Sequence, residues 1–235
     1  VLVTKNIPDA GNRALRSIKK YGLDITRSIF TSGKPNFQYL PAYNSTLFLT
    51  LNEDDTREAL KAGYAAGTIL NKEIIDDEND TEFRLAFDFD SVLASDESER
   101  FYKKEGINEY LIHEEKLASK PLSGGPLEPL LERIANFQKL ERIKSLKNPT
   151  YHPMLQTAIV TARNASAHER VLTTLKAWKI DVDQIFFLGG MEKSRILKVM
   201  KPHIFFDDQR IHLEDLGNIP AVHIPFGVAN TPTGN

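Results

Sequence analysis

Residues 1–33, VLVTKNIPDAGNRALRSIKKYGLDITRSIFTSG, run without a gap against residues 158–190, AIVTARNASAHERVLTTLKAWKIDVDQIFFLGG. Thr4 meets Thr161, Arg13 meets Arg170, Leu15 meets Leu172, Asp24 meets Asp181, Phe30 meets Phe187 and Gly33 meets Gly190, all at an offset of 157. The same offset pairs Leu40 with Leu197, and LFLTLN from Leu47 with IFFDDQ from Ile204. A repeat at fixed spacing constrains the fold more than any local signal, because each copy must be one supersecondary unit. The pattern inside a copy is strand, helix, strand, helix, strand. TAIVT and QIFFLG are short β-branched or aromatic runs, and the stretch from Ala167 to Trp178 carries Val171, Leu172, Leu175 and Trp178 at helical spacing. Such alternation implies an α/β fold, a doubly wound parallel sheet with helices on both faces. Ligands of such sheets bind beyond the carboxyl ends of the strands.

The copies differ in charge. Thr50 and Leu51 stand where the second copy has Asp207 and Asp208, and Asn36 stands where it has Lys193. The first copy, residues 1–75, therefore reads as a degenerate repeat that lacks the catalytic acids. Thr50 and Leu51 are expected to hold no ion and to contribute packing alone. The acidic, weakly apolar NKEIIDDENDTE, residues 71–82, reads as an exposed linker. Residues 95–150 read as a helical insertion, in which Leu127, Leu130, Leu131, Ile134, Phe137 and Leu140 recur at spacings of three and four after PLSGGP. Placed directly after a strand-end acidic pair, that insertion is expected to lie over it as a cap.

The pair itself lies in FDFDSVL, residues 87–93, behind the apolar run FRLAF. Two like charges at the end of a buried strand are costly unless a cation or a phosphate is present. Asp88 and Asp90, Thr161, Gly189 and Gly190 with Lys193, and Asp207 with Asp208 all fall at strand ends, which a doubly wound sheet brings to one crevice. Four carboxylates with no cysteine anywhere in the chain suit a hard divalent ion such as magnesium. In such a crevice Asp88 can attack phosphorus, helped by groups that neutralise the phosphate's charge. Asp90 would reach the leaving oxygen as general acid and later deprotonate water. Phe89, between them, would point away from the crevice if strand alternation persists. Each element alone has a blander reading: a capped turn for Asp88 and Asp90, a strand residue for Thr161, a solvated helix residue for Lys193, and capping for the aspartates of FFDD. Their order, each behind its own strand, favours the chemical reading.

The strings LAFDFDSVL, AIVTAR, Lys193 and IFFDD resemble the four motifs of the haloacid dehalogenase phosphohydrolase superfamily, whose cap occupies the place of residues 95–150. More narrowly, YGLDITRSIFTSG, DFDSVLASDESE, TARNASAHERV, FFLGG, PHIFFDDQ and HIPFGVAN are similar to the cytosolic type I 5′-nucleotidase family. The resemblance implies a Rossmann-like core from residues 80–94 and 151–235, and magnesium-dependent hydrolysis of nucleoside 5′-monophosphates through a phosphoaspartate. It implies catalytic roles for Asp88 as nucleophile, Asp90 as acid/base, Thr161 and Lys193. Asp88, Asp90, Asp207 and Asp208 would face the metal, and Ser91, Arg163, Phe101 and Tyr102 the substrate. Arg163 and His168 near the second motif could instead be solvated helix-start residues. Phe101, Tyr102 and Phe137 could be core rather than base-stacking, and His223 reads as structural. The alternatives are a phosphatase for another small phosphomonoester, a non-catalytic nucleotide-binding protein, and a metal-dependent glycosyltransferase, which would explain only the DxD.

Composition bounds the rest. The 235 residues suit one large or two small domains, and 41% hydrophobic with 26% charged residues describes an ordinary globular chain. Thirty basic and 32 acidic residues nearly cancel, so no nucleic acid polymer is expected as partner. No apolar run approaches a membrane span, so no membrane is expected either. The lack of cysteine and the family resemblance together point to the cytoplasm, with a homo-oligomer left open. Val1 already lies in a strand-like run, so the chain is expected to begin inside a longer protein.

Overall fold

The computed structural model describes residues 1–70, 77, 79–164 and 167–231. Most of the expected linker, residues 71–76 and 78, lies outside the described residues. The chain divides into two compact units, Val1–Phe48 and Leu49–Asn235.

In the first unit, β1 (Leu2–Thr4) pairs in parallel with β2 (Ser28–Phe30), joined by α1 (Gly11–Lys20). The second unit holds α2 (Glu53–Lys61), β4 (Ala66–Ile69), β5 (Phe83–Phe87), α3 (Glu97–Glu105), α4 (Ile107–Lys116), α5 (Glu128–Lys147), β6 (Leu155–Thr161), α6 (His168–Trp178), β7 (Gln184–Phe187), α7 (Lys193–Met200), β8 (Ile204–Asp207) and β9 (Ala221–His223), with β3 (Phe48–Thr50) beginning at the unit boundary. The strand order is β3-β4-β9-β8-β5-β6-β7. β5 pairs in parallel with β6 and β8, β6 with β7, and β8 with β9, while β4 runs antiparallel to β9. The α/β class read from the sequence is the one observed, a mostly parallel central sheet. The antiparallel β4 was not legible, because AGTI is four residues long and contains a glycine. Gly67 is needed there: a Cβ would meet Val222 Cγ1 at 2.3 Å.

β5 is central, and FRLAF has the near-continuous apolar character of a strand covered on both faces. Ala86 and Phe87 are fully buried, and Phe87 stacks on Phe206 of β8 with ring centroids 4.9 Å apart. On one side of the sheet Leu197, Leu213 and Leu216 close over Ala86, Val160, Phe205 and Ala221.

The two copies of the repeat have matching local structure. Thr4 lies opposite Phe30 in the β1–β2 pair, and Thr161 opposite Phe187 in the β6–β7 pair, each partner 157 residues on. The loops correspond as well. Gly33 N donates to Lys5 O and Gly190 N to Ala162 O, while Asn6 N donates to Thr4 Oγ1 and Arg163 N to Thr161 Oγ1. Ser32 and Gly33 have φ of 50° and 86°, and Gly189 and Gly190 have 56° and 88°. Leu51 departs from expectation: it is 76% exposed, one residue past the end of β3, and packs little.

The insertion also differs from a uniform cap. The buried face of α5 is Leu131, Ile134, Ala135 and Gln138, and Gln138 Nε2 donates to Asp183 Oδ2 and to the β6 carbonyl of Leu155. α5 is therefore bonded to the sheet. Phe137 and Leu140 are exposed, because the stripe that begins at Leu127 continues at Gln138.

Candidate active site

Parallel pairing sends the chain ends of β5, β6, β7 and β8 to one edge of the sheet. Phe87, the last residue of β5, lies opposite Ile159 and Phe206, so Asp88 emerges level with Val160 and Asp207, one residue short of Thr161. A cleft of about 500 Å³ opens there, lined by Asp88, Asp90, Thr161, Arg163, Gly189 and Gly190 below and by Tyr102, Ile107 and Tyr110 from α3 and α4. α3 and α4 supply one wall of the cleft, and α5 does not line it.

Lys193, at the start of α7, is buried and bridges two acids, with Nζ 2.8 Å from Asp88 Oδ2 and 2.6 Å from Asp207 Oδ2. Burial would lower its pKa, but Asp207 and Asp88 outweigh that and hold the ammonium charged above its ordinary range. Burial pushes Asp88 up to about 7, against the pull of Lys193 and with a further push from Asp207. Its Oδ1 accepts from Phe89 N at 2.7 Å. Asp207 goes the other way. Burial would raise it, yet Lys193 and His212 outweigh burial and hold it below the usual carboxylate range.

Asp208 is the outlier. Both of its carboxylate oxygens are buried without a hydrogen-bond partner, and burial, then the neighbouring Asp88 and Asp207, push it up to about 10. A buried carboxylate with no donor is expensive, and an oxygen-rich site of this kind fits a divalent cation. Asp88, Asp207 and His212 also bring ligand atoms within 4.8 Å of one another. His212 escaped the sequence reading because it lies five residues past the FFDD aspartate, on a short helical turn with no motif of its own. His223 has a supporting role, with Nε2 3.0 Å from the Asp208 carbonyl oxygen.

The remaining expected residues fall into two groups. Tyr102 lines the cleft and packs edge-on against Tyr110, with centroids 5.7 Å apart. Phe101 does not line it but stacks on His113 at 3.9 Å. Ser91 is fully buried with φ of 61°, and its hydroxyl donates to Glu99 Oε2 on α3 at 2.8 Å. Ser91 thus ties the Asp88–Asp90 loop to α3. His168, the first residue of α6, lies with its ring 5.5 Å from that of Phe187. Phe89 is buried and tilts toward Trp178, away from the cleft. The Asp90 carboxylate is held by Arg163, with Oδ1 and Oδ2 each 2.7 Å from a guanidinium nitrogen.

Gly227, from the HIPFGVAN string, closes this loop from behind. Its φ is 79°, and a Cβ would stand 2.7 Å from Ser91 Oγ. Gly227→Ala is expected to destabilise the protein by about 1–3 kcal/mol, the usual cost of a strained backbone position. Equilibrium unfolding in denaturant measures it, and an unchanged midpoint would contradict the close packing.

The strand ends of this α/β sheet thus gather two acidic pairs, a bridging lysine and a hydroxyl around one cleft. The chain belongs to the 5′-nucleotidase family, whose profile matches residues 1–231. A relative, cytosolic 5′-nucleotidase 1B of Homo sapiens, is 40% identical over 225 residues, which is 94% of this chain and 36% of the relative. The chain thus spans about a third of that protein's length. Among solved structures, the HAD domain of effector protein Lem4 from Legionella pneumophila aligns with a TM-score of 0.30 and 16% identity, covering 58% of this chain and 78% of that one. That superposition is too loose to bear on the site. Among the described residues, no helix is long and apolar enough to cross a membrane.

Proposed function

We propose that this chain hydrolyses nucleoside 5′-monophosphates to nucleoside and phosphate, with magnesium as cofactor and a phosphoaspartate on Asp88 as intermediate. The observation that supports it most is the placement of Asp88 at the floor of the cleft, one oxygen on Lys193, with Asp90 two residues on and the Tyr102–Tyr110 wall opposite. The family match and the motif order support the same reading.

An Asp88 carboxylate oxygen attacks phosphorus, and the bond from phosphorus to the ester oxygen breaks. The ester oxygen leaves as the nucleoside hydroxyl, taking its proton from Asp90. Water then attacks the phosphorus of the acyl phosphate, Asp90 takes the water's proton, and Asp88 departs as a free carboxylate with phosphate released. Thr161 Oγ1 and the Lys193 ammonium neutralise and orient the phosphate oxygens. Asp88 and Asp208 would hold the magnesium ion, with Asp207 beside it, and the ion would screen the phosphate's charge from the attacking carboxylate. Asp90 is set apart from that ligand group by its pairing with Arg163. The first unit is read as the duplicated scaffold without catalytic acids, which its matching register supports. The proposed compartment is the cytoplasm, as for the relative.

Phosphate release across a panel of nucleoside 5′-monophosphates tests the reading, and absence of release from all of them would overturn it. Tyr102→Ala is expected to lower kcat/KM for nucleotides about tenfold, the order of one lost base-stacking contact. Glycerol phosphate, which has no base, should be nearly unaffected. Phe101→Ala, removed from the cleft, should treat both substrates alike.

A further inference from the structure

Arg163 has no N–H left for a substrate. Of its five donors, Nε and one on Nη2 go to the two oxygens of Asp90, each at 2.7 Å. The second on Nη2 goes to Ser98 Oγ at 2.8 Å, and those on Nη1 go to Glu114 Oε2 at 2.5 Å and to the carbonyl of Ala167 at 3.2 Å. The side chain is 2% exposed. A guanidinium engaged at every position orients other groups rather than meeting a ligand.

Glu114 anchors that arrangement. It is fully buried on α4, and its Oε1 accepts from Ser98 Oγ at 2.9 Å and from Arg170 Nη1 at 2.8 Å. Arg170, fully buried on α6, continues to Glu97 at 2.7 Å and to the Lys120 carbonyl at 3.0 Å. The charges alternate from Asp90 through Arg163, Glu114 and Arg170 to Glu97, so each of the two buried guanidiniums has an anion on either side. Removing one member of such a buried series leaves its neighbours uncompensated.

We propose that Glu114 is a positioning residue for Asp90, acting through Arg163. This rests on the reading of Asp90 as general acid and base given above. The two-pronged contact with Arg163 fixes the plane of the Asp90 carboxylate, and Glu114 fixes Arg163. α3 and α4 are thereby a bracket tied to the acid/base rather than a lid hinged over it. A nucleoside is a poor leaving group and needs the proton that Asp90 supplies. Nitrophenolate departs without one.

The test compares kcat/KM for a nucleoside 5′-monophosphate with that for p-nitrophenyl phosphate, since this ratio reports the step that phosphorylates Asp88. Glu114→Gln and Arg163→Lys are expected to lose roughly 10- to 100-fold on the nucleotide, part of the full worth of a placed acid, with KM little changed and the aryl ester within about threefold of wild type. Glu114→Asp should recover part of the loss. Ser98→Ala removes a hydroxyl and no charge, and should show the same selective pattern more weakly; it keeps the test open if Glu114→Gln fails to fold. Equal losses on both esters, or a rise in KM alone, would overturn the proposal. Glycerol phosphate separates the two readings. Wild-type turnover of it without turnover of nucleotides would refute nucleotidase activity, while the alkyl-against-aryl contrast would still decide the role of Glu114.

Discussion

Asp88→Asn is expected to abolish phosphate release from every phosphomonoester while the protein still folds. An amide cannot form the acyl phosphate, and of the two carboxylates that share Lys193 and each accept a backbone N–H, Asp88 lines the cleft and Asp207 does not. The fold should tolerate the change. Burial already raises Asp88 to about 7, so an uncharged isostere removes a desolvation cost, and Lys193 keeps Asp207 as partner at 2.6 Å. Asp90→Asn should be milder, losing roughly 10² to 10⁴ in rate, the usual worth of a placed acid/base. Phosphate release and thermal melts on both variants check this. Residual turnover in Asp88→Asn comparable to wild type would rule out the covalent route.

The second large effect is metal dependence, and it should be visible in stability as well as in rate. Chelation is expected to remove activity altogether, and beryllium fluoride or vanadate to inhibit as phosphoryl mimics. In the metal-free protein Asp88 and Asp208 are raised to about 7 and about 10, so the native state binds more protons than the unfolded chain above the ordinary carboxylate range. Stability of the metal-free form should therefore fall as pH rises from about 4 toward those values. Magnesium takes the place of the protons, so its stabilising shift in Tm should grow over the same pH range, with protons released on binding. Asp208→Asn should flatten the metal-free profile and remove most of the magnesium shift. Asp207→Ala is the opposite case. It takes a partner from Lys193 and from His212, and should weaken the metal-free protein. A magnesium shift unchanged in Asp208→Asn would show that the ion sits elsewhere.

What could be read from the sequence was whatever the strands dictate. Apolar runs ending in Asp88, Thr161 and Asp207 are parallel strands of one sheet, and parallel pairing alone brings their ends together. The matched loops of the two repeats were legible for the same reason, because register and loop length are local. Side chains that meet through helix packing were harder. Glu114 and Arg170 left a signal that the reading passed over, a charged residue on the buried face of each helix, beside Tyr110 on α4 and beside Val171 and Thr174 on α6. The sequence shows Arg163 only as a neighbour of the second motif, whereas its five donors go to groups up to 73 residues away. Phe137 and Leu140, which share the apolar spacing of α5, are exposed for a different reason. Spacings of three and four admit two overlapping stripes along α5, and only packing against β6 selects the one that ends in Gln138.

The measurement closest to the central claim is the trapping of phosphate on Asp88. Asp90→Asn slows hydrolysis of the acyl phosphate, while nitrophenolate leaves without a proton from Asp90, so a rapid acid quench during turnover of p-nitrophenyl phosphate, followed by peptide mass analysis, should find one phosphoryl group on the peptide spanning LAFDFDSVL. Borohydride reduction should place it at Asp88. Steady turnover by Asp90→Asn with no phosphorylated peptide, or with the label at Asp207 or Asp208, would contradict the account.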